Sequence, residues 1–390
     1  MPYKVILKKN EEKRILAGHP WVYANEVREI EGPGRNGELC SVFADNGRFI
    51  GKGYINHLSK ILVRIFIRDD SLPDADFFAR RIIAANEKRL KLGFVDNYRV
   101  VFGESDDLPG LIVDRYGDLL SIQILTLGMD KNRDIIVEAL KQVFSPRGIY
   151  ERSDVGVREK EGLPAKKGPV FGEFEPLTTV NENGIIMRVD LENGQKTGYF
   201  LDQKDNRLAI RRYAKGAKVL DCFSNVGGFS INAAAGGAKS VIAADISERA
   251  LAEVRENAAL NGFSDIISTL KGDVFELLRN YKASGEQFDL VVLDPPAFCK
   301  SQEDVRNAYK GYRDINKLAI QLVSRGGYLA TCSCSHYMTF PLFEKMLREA
   351  AAESGRRVRV CEIKTQAPDH ASLITEDESC YLKFFVLSVE

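Results

Sequence analysis

The sequence predicts an α/β protein: a doubly wound sheet in the C-terminal half, preceded by a small β domain and a middle α+β domain. Three observations carry this. From about residue 215, short apolar runs alternate with helical stretches, the pattern of parallel strands joined by crossover helices. Residues 1–73 instead show a period of two between turns rich in Gly, Pro and Asn, as half-buried strands do. Between these regions, strand pairs and amphipathic helices mix without that alternation. The expected domains are 1–73, 74–190 and 191–390, and 390 residues are enough for more than one core.

The elements follow in order. "YKVILKK", "GELCSVFADNGRFIGKGYI" and "KILVRIFI" read as strands of the first domain, interrupted by "AGHPWVYANEV" with the single tryptophan, Trp21. Trp21 reads as core rather than as an RNA contact, and His19 as structural. "DADFFARRIIAANEKRLKLG" is an amphipathic helix closed by Gly93. "YRVVFGE" and "LIVDRYGDLLSIQIL" pair across the turn "SDDLPG", "DKNRDIIVEALKQVF" is a helix, and "FEPLTTVNENGIIMRVD" is a hairpin turning at Asn183-Gly184. In the last domain "KVLDCF", "SVIAADI", "FDLVVLDPP" and "GGYLATCS" are strands. "SINAAAGG", "RALAEVRENAALNG", "DINKLAIQLV" and "LFEKMLREAAAESG" are helices.

Composition narrows the class. At 44% hydrophobic and 28% charged, with formal net charge 0, the chain is ordinary globular material. No run approaches the roughly 18 apolar residues of a membrane span, and the N-terminus has no secretory apolar region. Seven scattered cysteines, an odd number, point to free thiols in a reducing cytoplasm. A neutral chain binds nucleic acid only through a local basic face. "PAKKGP" and "RRYAKGAK" are stretches that could line such a path, though solvated surface explains either one.

The chemistry gathers at strand ends, where doubly wound sheets bind ligands. "VLDCFSNVGGFS" is a strand, a loop with Gly227 and Gly228, and a helix start. It lacks both the dinucleotide glycine spacing and the Lys-Ser/Thr pair of a phosphate loop. Asp245, about twenty residues on, is placed to bind both hydroxyls of an unphosphorylated ribose. Asp273 in "KGDVF" is a third strand-end acid. Together they suggest a nucleoside-containing cofactor without pyrophosphate; the alternative is that the acids cap helices or turns. "FDLVVLDPPAF" ends in Asp294-Pro295-Pro296, whose prolines hold the chain extended; a D-P-P-[FY]-type tetrad after an apolar strand is a mark of methyl transfer to nucleobases, and the alternative is a rigid Pro-Pro turn.

"GGYLATCSCSHYM" leaves three readings. A Cys332–Cys334 disulfide is disfavoured by compartment and by strain. Cys332, Cys334 and His336 share a face and could ligate zinc, but lack a partner C-x-x-C pair, so no metal is expected. Cys332, inside the apolar strand, reads as structural, and Cys334, at the rim, as the better nucleophile.

"AGHPWVYANEV", "ESDDLPGLIVDRYGD", "GQKTGYFLDQKDNR", "DPPAF" and "TCSCSHYM" together resemble, in order and over essentially the whole chain, the bacterial and archaeal large-subunit ribosomal RNA cytosine-C5 methyltransferase I family. The resemblance implies an RNA-binding PUA domain, a middle α+β domain and a Rossmann-like class I methyltransferase domain using S-adenosyl-L-methionine. It implies Cys334 as nucleophile and Asp294 as the acid beside the target base. It implies a cofactor shell of Phe200, Phe223, Ser224, Asn225, Gly227, Gly228, Asp245, Ile246, Asp273, Val274 and Asp294, with "GQKTGYFLDQ" folding over the cofactor site. RNA, above all large-subunit ribosomal RNA, is the implied partner, and a homodimer is a candidate assembly.

Two departures bear on mechanism. Pro296 stands where many RNA cytosine-C5 enzymes carry a second cysteine, leaving open which group helps release the enzyme. Ala371 replaces a proline that relatives often have after the histidine, so no role is assigned to His370. The rival reactions are guanine or exocyclic-amine methylation, which need no thiol, and RNA binding by a vestigial methyltransferase fold.

Overall fold

The computed structural model describes residues 3–299, 301–375 and 379–390. By compactness the chain divides into two units. One comprises residues 1–180, 189–201 and 368–379, the other 181–188, 202–367 and 380–390.

In the first unit, strands Tyr3–Leu7, Trp21–Tyr23, Val27–Glu31, Leu39–Phe43, Phe49–Ile55 and Ile61–Ile67 form a six-stranded sheet. Alternation buries Val5, Leu7, Val22, Val42, Ile55, Val63 and Ile65 in one core. Trp21 is buried, its Nε1 donating to Glu104 Oε1 at 2.9 Å, and His19 Nδ1 accepts from the Trp21 amide at 3.1 Å.

A five-stranded sheet follows from Asn97–Phe102, Leu111–Tyr116, Leu119–Ile124, Gly148–Ser153 and Lys166–Phe171. The helix Ala75–Lys91 starts where Asp74 Oδ1 accepts from the Phe77 amide at 2.8 Å, and buries Phe77, Phe78 and Ile82 against this sheet's core. Gly93, at φ +86°, takes the chain out of it. The helix expected over "DKNRDIIVEALKQVF" is broken at Asn132, into Leu127–Lys131 and Arg133–Phe144. The Asn132 amide group donates to Gly128 O and Tyr54 Oη there instead of facing solvent. The "PAKKGP" stretch contributes to the edge strand Lys166–Phe171, and Lys166 pairs with Asp130 at 3.0 Å. The Asn183-Gly184 hairpin joins strands Leu177–Glu182 and Ile185–Asp190, with both turn residues at positive φ, as a two-residue turn of this hand requires.

The second unit carries the expected doubly wound sheet. Its strands are β1 (Lys218–Cys222), β2 (Ser240–Asp245), β3 (Ile267–Lys271), β4 (Phe288–Leu293), β5 (Val323–Ser333), β6 (Val358–Lys364) and β7 (Lys383–Val389), in the order β3-β2-β1-β4-β5-β7-β6. The first five run parallel, while β7 enters antiparallel between β5 and β6. Strands buried on both faces read as near-continuous apolar runs, which is why β4 (FDLVVL) was plain in the sequence. The helices are α1 (Gly228–Ala235), α2 (Glu248–Leu260), α3 (Val274–Ser284), α4 (Val305–Leu322) and α5 (Phe340–Ser354). Helix α4 packs on α3 and α5, and α1 on the short helices Lys204–Ala209 and Arg211–Ala214. Strands β6 and β7 and helix α3 were not assigned from the sequence, and α4 begins nine residues before the expected "DINKLAIQLV".

Candidate functional site

The carboxyl ends of five parallel strands form one rim, and the motif residues of the second unit stand on it. After β1 the backbone turns sharply: Phe223, Asn225 and Gly227 all take left-handed conformations, at φ +62°, +48° and +86°. A bulky residue such as Phe223 adopts that region only when its surroundings force it. Bonds at both ends hold the loop. The Ser224 amide donates to Ala244 O at 3.0 Å, and the Asn225 amide to Asp245 Oδ2 at 2.9 Å. At Gly227 a Cβ would lie 3.1 Å from Val254 on α2, a tight contact added to a φ that favours glycine. Gly228 opens α1.

Asp245 ends β2. Its Oδ1 accepts from the Ser247 amide at 2.9 Å, so both carboxylate oxygens are fixed by the backbone, each with a lone pair to spare. Ile246 beside it is 68% exposed, an apolar face open at the rim. Asp273 caps α3, its Oδ1 accepting from the Glu276 amide at 3.2 Å. Val274 buries its side chain in the sheet's core, which leaves only its backbone to face a ligand. Phe200 falls in the first unit, where Lys196 Nζ lies 4.6 Å from its ring centroid.

The sequence reading passed over Asp221, one residue before the end of β1. It is fully buried, Ser230 Oγ donates to its Oδ2 at 2.6 Å, and its Oδ1 has no hydrogen-bond partner. Burial pushes this carboxyl up to about 7, with the charges of Asp294 and Asp245 adding to the rise and Ser230 opposing it. The signal was in the motif, since an acid inside an apolar strand is rarely there for packing.

Asp294 follows β4, with its Oδ1 accepting from Gln203 Nε2 at 3.0 Å. Gln203 in turn accepts at Oε1 from Asn206 at 2.7 Å, which fixes its amide orientation. Gln203 lies inside the quoted "GYFLDQK" block but was not picked out as a site residue.

Strand β5 ends at Ser333. Cys332, within it, is fully buried against Gln203 and Asp294, and burial raises its thiol well above the ordinary value. Cys334, one step past the strand, is half-buried and reachable from solvent. Its neighbour Ser335 is held by Tyr312 Oη at 3.0 Å, and Ser335 Oγ accepts from the Cys299 amide at 3.3 Å. Cys299 is buried, its Sγ donating to Ser301 O. His370 belongs to the first unit, its Nδ1 2.9 Å from Asp369 Oδ1 and its ring beside Phe102.

Residues 5–68 match the PUA-like domain family, and residues 169–373 match the S-adenosylmethionine-dependent methyltransferase family. The Klebsiella pneumoniae protein named ribosomal RNA large subunit methyltransferase I is 42% identical over 99% of this chain and 98% of its own length. The chain belongs to the ribosomal RNA large subunit methyltransferase I family. Its Aeromonas salmonicida relative of the same name is 43% identical, covering 98% of each chain. A solved S-adenosylmethionine-dependent methyltransferase from Streptococcus mutans covers 100% of both chains with TM-score 0.85; at 22% identity this likeness shows the fold. The Rossmann-like methyltransferase sheet, the PUA-like domain and dependence on S-adenosylmethionine are the family's, as the resemblance implied. Among the described residues, no helix is long and apolar enough to cross a membrane.

The residues present fit that cofactor. It carries an ammonium, a sulfonium and a ribose diol. The second unit offers a buried carboxylate oxygen without a partner at Asp221 and a buried hydroxyl without one at Ser224. Beside them stands the backbone-fixed Asp245 carboxylate.

Proposed function

We propose that this protein methylates carbon-5 of a cytosine in large-subunit ribosomal RNA through a covalent bond from Cys334 to C6. The single observation that carries this reading is the pairing of a solvent-reachable thiol one step past β5 with a carboxylate, Asp294, at the end of the adjacent β4. Amine methylation would use the carboxylate and leave the thiol idle. The names of the relatives support ribosomal RNA as substrate.

In this account Asp221 and Ser224 take the cofactor's amino-acid end, and Asp245 its ribose. Ile246 lies against its adenine, and Asp273 and the Val274 backbone lie on the adenine side. The turn from Phe223 to Gly228 wraps it. The bound cofactor supplies an electrophilic methyl group. Carbon-5 of cytosine is a weak nucleophile, and attack of the Cys334 thiolate on C6 makes it enamine-like. Asp294 accepts from the N4 amino group and, carrying a proton taken up from water, donates it to N3 as charge builds there. Carbon-5 takes the methyl group, its proton then passes to water, and the S–C6 bond breaks to return the thiolate. Gln203 keeps Asp294 aimed, and Cys332, held protonated by burial, does not compete. The base leaves its stack to reach this rim, at a cost of a few kcal/mol that is least in a loop or bulge.

We further propose the organisation 1–73, 74–190 and 191–390, with the PUA-like region contributing RNA contacts and the last part the chemistry. Nucleoside analysis of large-subunit RNA treated with the purified protein tests the reaction. The expected product is 5-methylcytidine, lost in Cys334→Ser; a methylated guanine or an N4-methylated cytidine would overturn it.

A further inference from the structure

Lys383 opens β7 and is only 2% exposed. In the β5–β7 ladder it stands opposite Ser333, the residue before Cys334. Its Nζ reaches over the strand end to donate to Ser335 O, the residue after Cys334, at 2.7 Å, and to Tyr381 O at 2.7 Å. The amine therefore ties the backbone just after the thiol to the chain that enters β7. Both partners are neutral carbonyls, and among the described residues no carboxylate lies within 4.0 Å of it. Buried ammonium groups are almost always paired with an anion, because an unpaired one is costly. The titratable groups whose charge bears on Lys383 are two thiols, Cys334 and the exposed Cys380.

We propose that Lys383 is the counter-ion of Cys334, holding its sulfur as a thiolate before the target base arrives. The thiol proton leaves to water, the Lys383 ammonium keeps its own proton, and the two charges offset each other, the ammonium being shut off from solvent. Lys383 touches neither substrate nor cofactor in this account and acts as a positioning residue through charge. This rests on the reading of Cys334 as the nucleophile and adds the group that activates it.

Each neighbouring element bears on this balance. Burial lowers the Lys383 ammonium to about 8, while a negative Cys334 pushes it back up. From α4, Tyr312 hydrogen-bonds Ser335 and Ser333, and burial holds its phenol up at about 12, so it stays neutral. From β5, Cys332 stays protonated. Beyond β4, the Asp294 carboxylate opposes a second negative charge nearby. His336 lies two residues along the chain. Lys383 is thus the cation that offsets these. Its activating charge is present below its own titration near 8 and is lost as pH rises through it.

The test is the pH dependence of Cys334 alkylation by iodoacetamide in the full chain, read by mass spectrometry of the peptide that carries it. In the wild type the rate should rise with an inflection below the roughly 8.5 of a free thiol. In Lys383→Met the inflection should move up by at least about one pH unit, with alkylation at pH 7 down about tenfold, whereas Lys383→Arg should keep the wild-type profile. Unchanged cofactor affinity shows that the variants are folded. If Lys383→Met does not fold, a lysine ¹³Cε titration gives the same answer from the other side: Lys383 should titrate lower in Cys334→Ser than in the wild type. An alkylation profile indifferent to Lys383, or a Lys383 titration indifferent to Cys334, overturns the ion pair. A Cys334→Ser protein that still methylates overturns the nucleophile assignment instead, so the two failures are distinguishable.

Discussion

The buried carboxyl of Asp221 makes cofactor binding a proton-release reaction. With its titration pushed to about 7, this group is about half protonated at pH 7 and about nine-tenths protonated at pH 6 in the free protein. Its unpartnered Oδ1 is the candidate seat of the cofactor's ammonium. A cation about 4 Å away at an effective dielectric near 20 contributes about 4 kcal/mol, or about three pKa units, so the bound carboxyl is ionised throughout pH 6–8. The sign follows: a raised carboxyl must give up its proton before the cation can pair with it, so affinity falls as pH falls through 7. Binding at pH 6 should release about 0.9 proton and be about tenfold weaker than at pH 8. The assay is calorimetric titration with S-adenosylmethionine at pH 6 and 8, in two buffers of different ionisation enthalpy, comparing the wild type with Asp221→Asn. The asparagine can still accept from Ser230, and its binding should release no proton from this position. Equal proton release and equal pH dependence in the two proteins would refute the reasoning.

The Asp245 carboxylate fixes the cofactor loop through the Asn225 amide and is read as the ribose acceptor, so Asp245→Ala should weaken cofactor binding by about 1.5–3 kcal/mol, measured by the same calorimetry. Glu161 is buried and accepts from Asn56 at 2.9 Å, Ser59 at 2.6 Å and Arg64 at 2.9 Å. Glu161→Ala leaves Arg64 only its longer contact to Glu104, at 3.8 Å, and should cost about 3 kcal/mol in denaturant unfolding followed by Trp21 fluorescence. RNA binding by the intact chain should weaken with salt in proportion to the phosphates contacted, since a chain of zero net charge binds only through local basic groups; a salt-independent affinity in filter binding would count against it.

The rim was legible because parallel strands announce themselves. Continuous apolar runs in β1, β4 and β5, each ending in glycine, Asp-Pro or polar residues, mark both the strand and its carboxyl end. What the sequence did not yield depends on long-range pairing. The apolar run of β7 is as strong as any, but only its insertion antiparallel between β5 and β6 brings Lys383 beside Cys334. No local spacing encodes that juxtaposition. Asp221 was missed because it sits one step inside its strand, where the period suggested core. Glu161 binds Asn56, Ser59 and Arg64 across about a hundred residues, which ties the first sheet to the region after it within one compact unit.

The most direct test of the central claim is covalent trapping. RNA containing 5-fluorocytosine cannot lose fluorine as the natural base loses its C5 proton, so attack by the enzyme's thiol leaves a stable protein–RNA adduct on a denaturing gel. The account predicts the adduct with the wild type and with Cys332→Ser, and none with Cys334→Ser. An adduct that persists in Cys334→Ser, or a wild type that methylates RNA yet forms none, would contradict it.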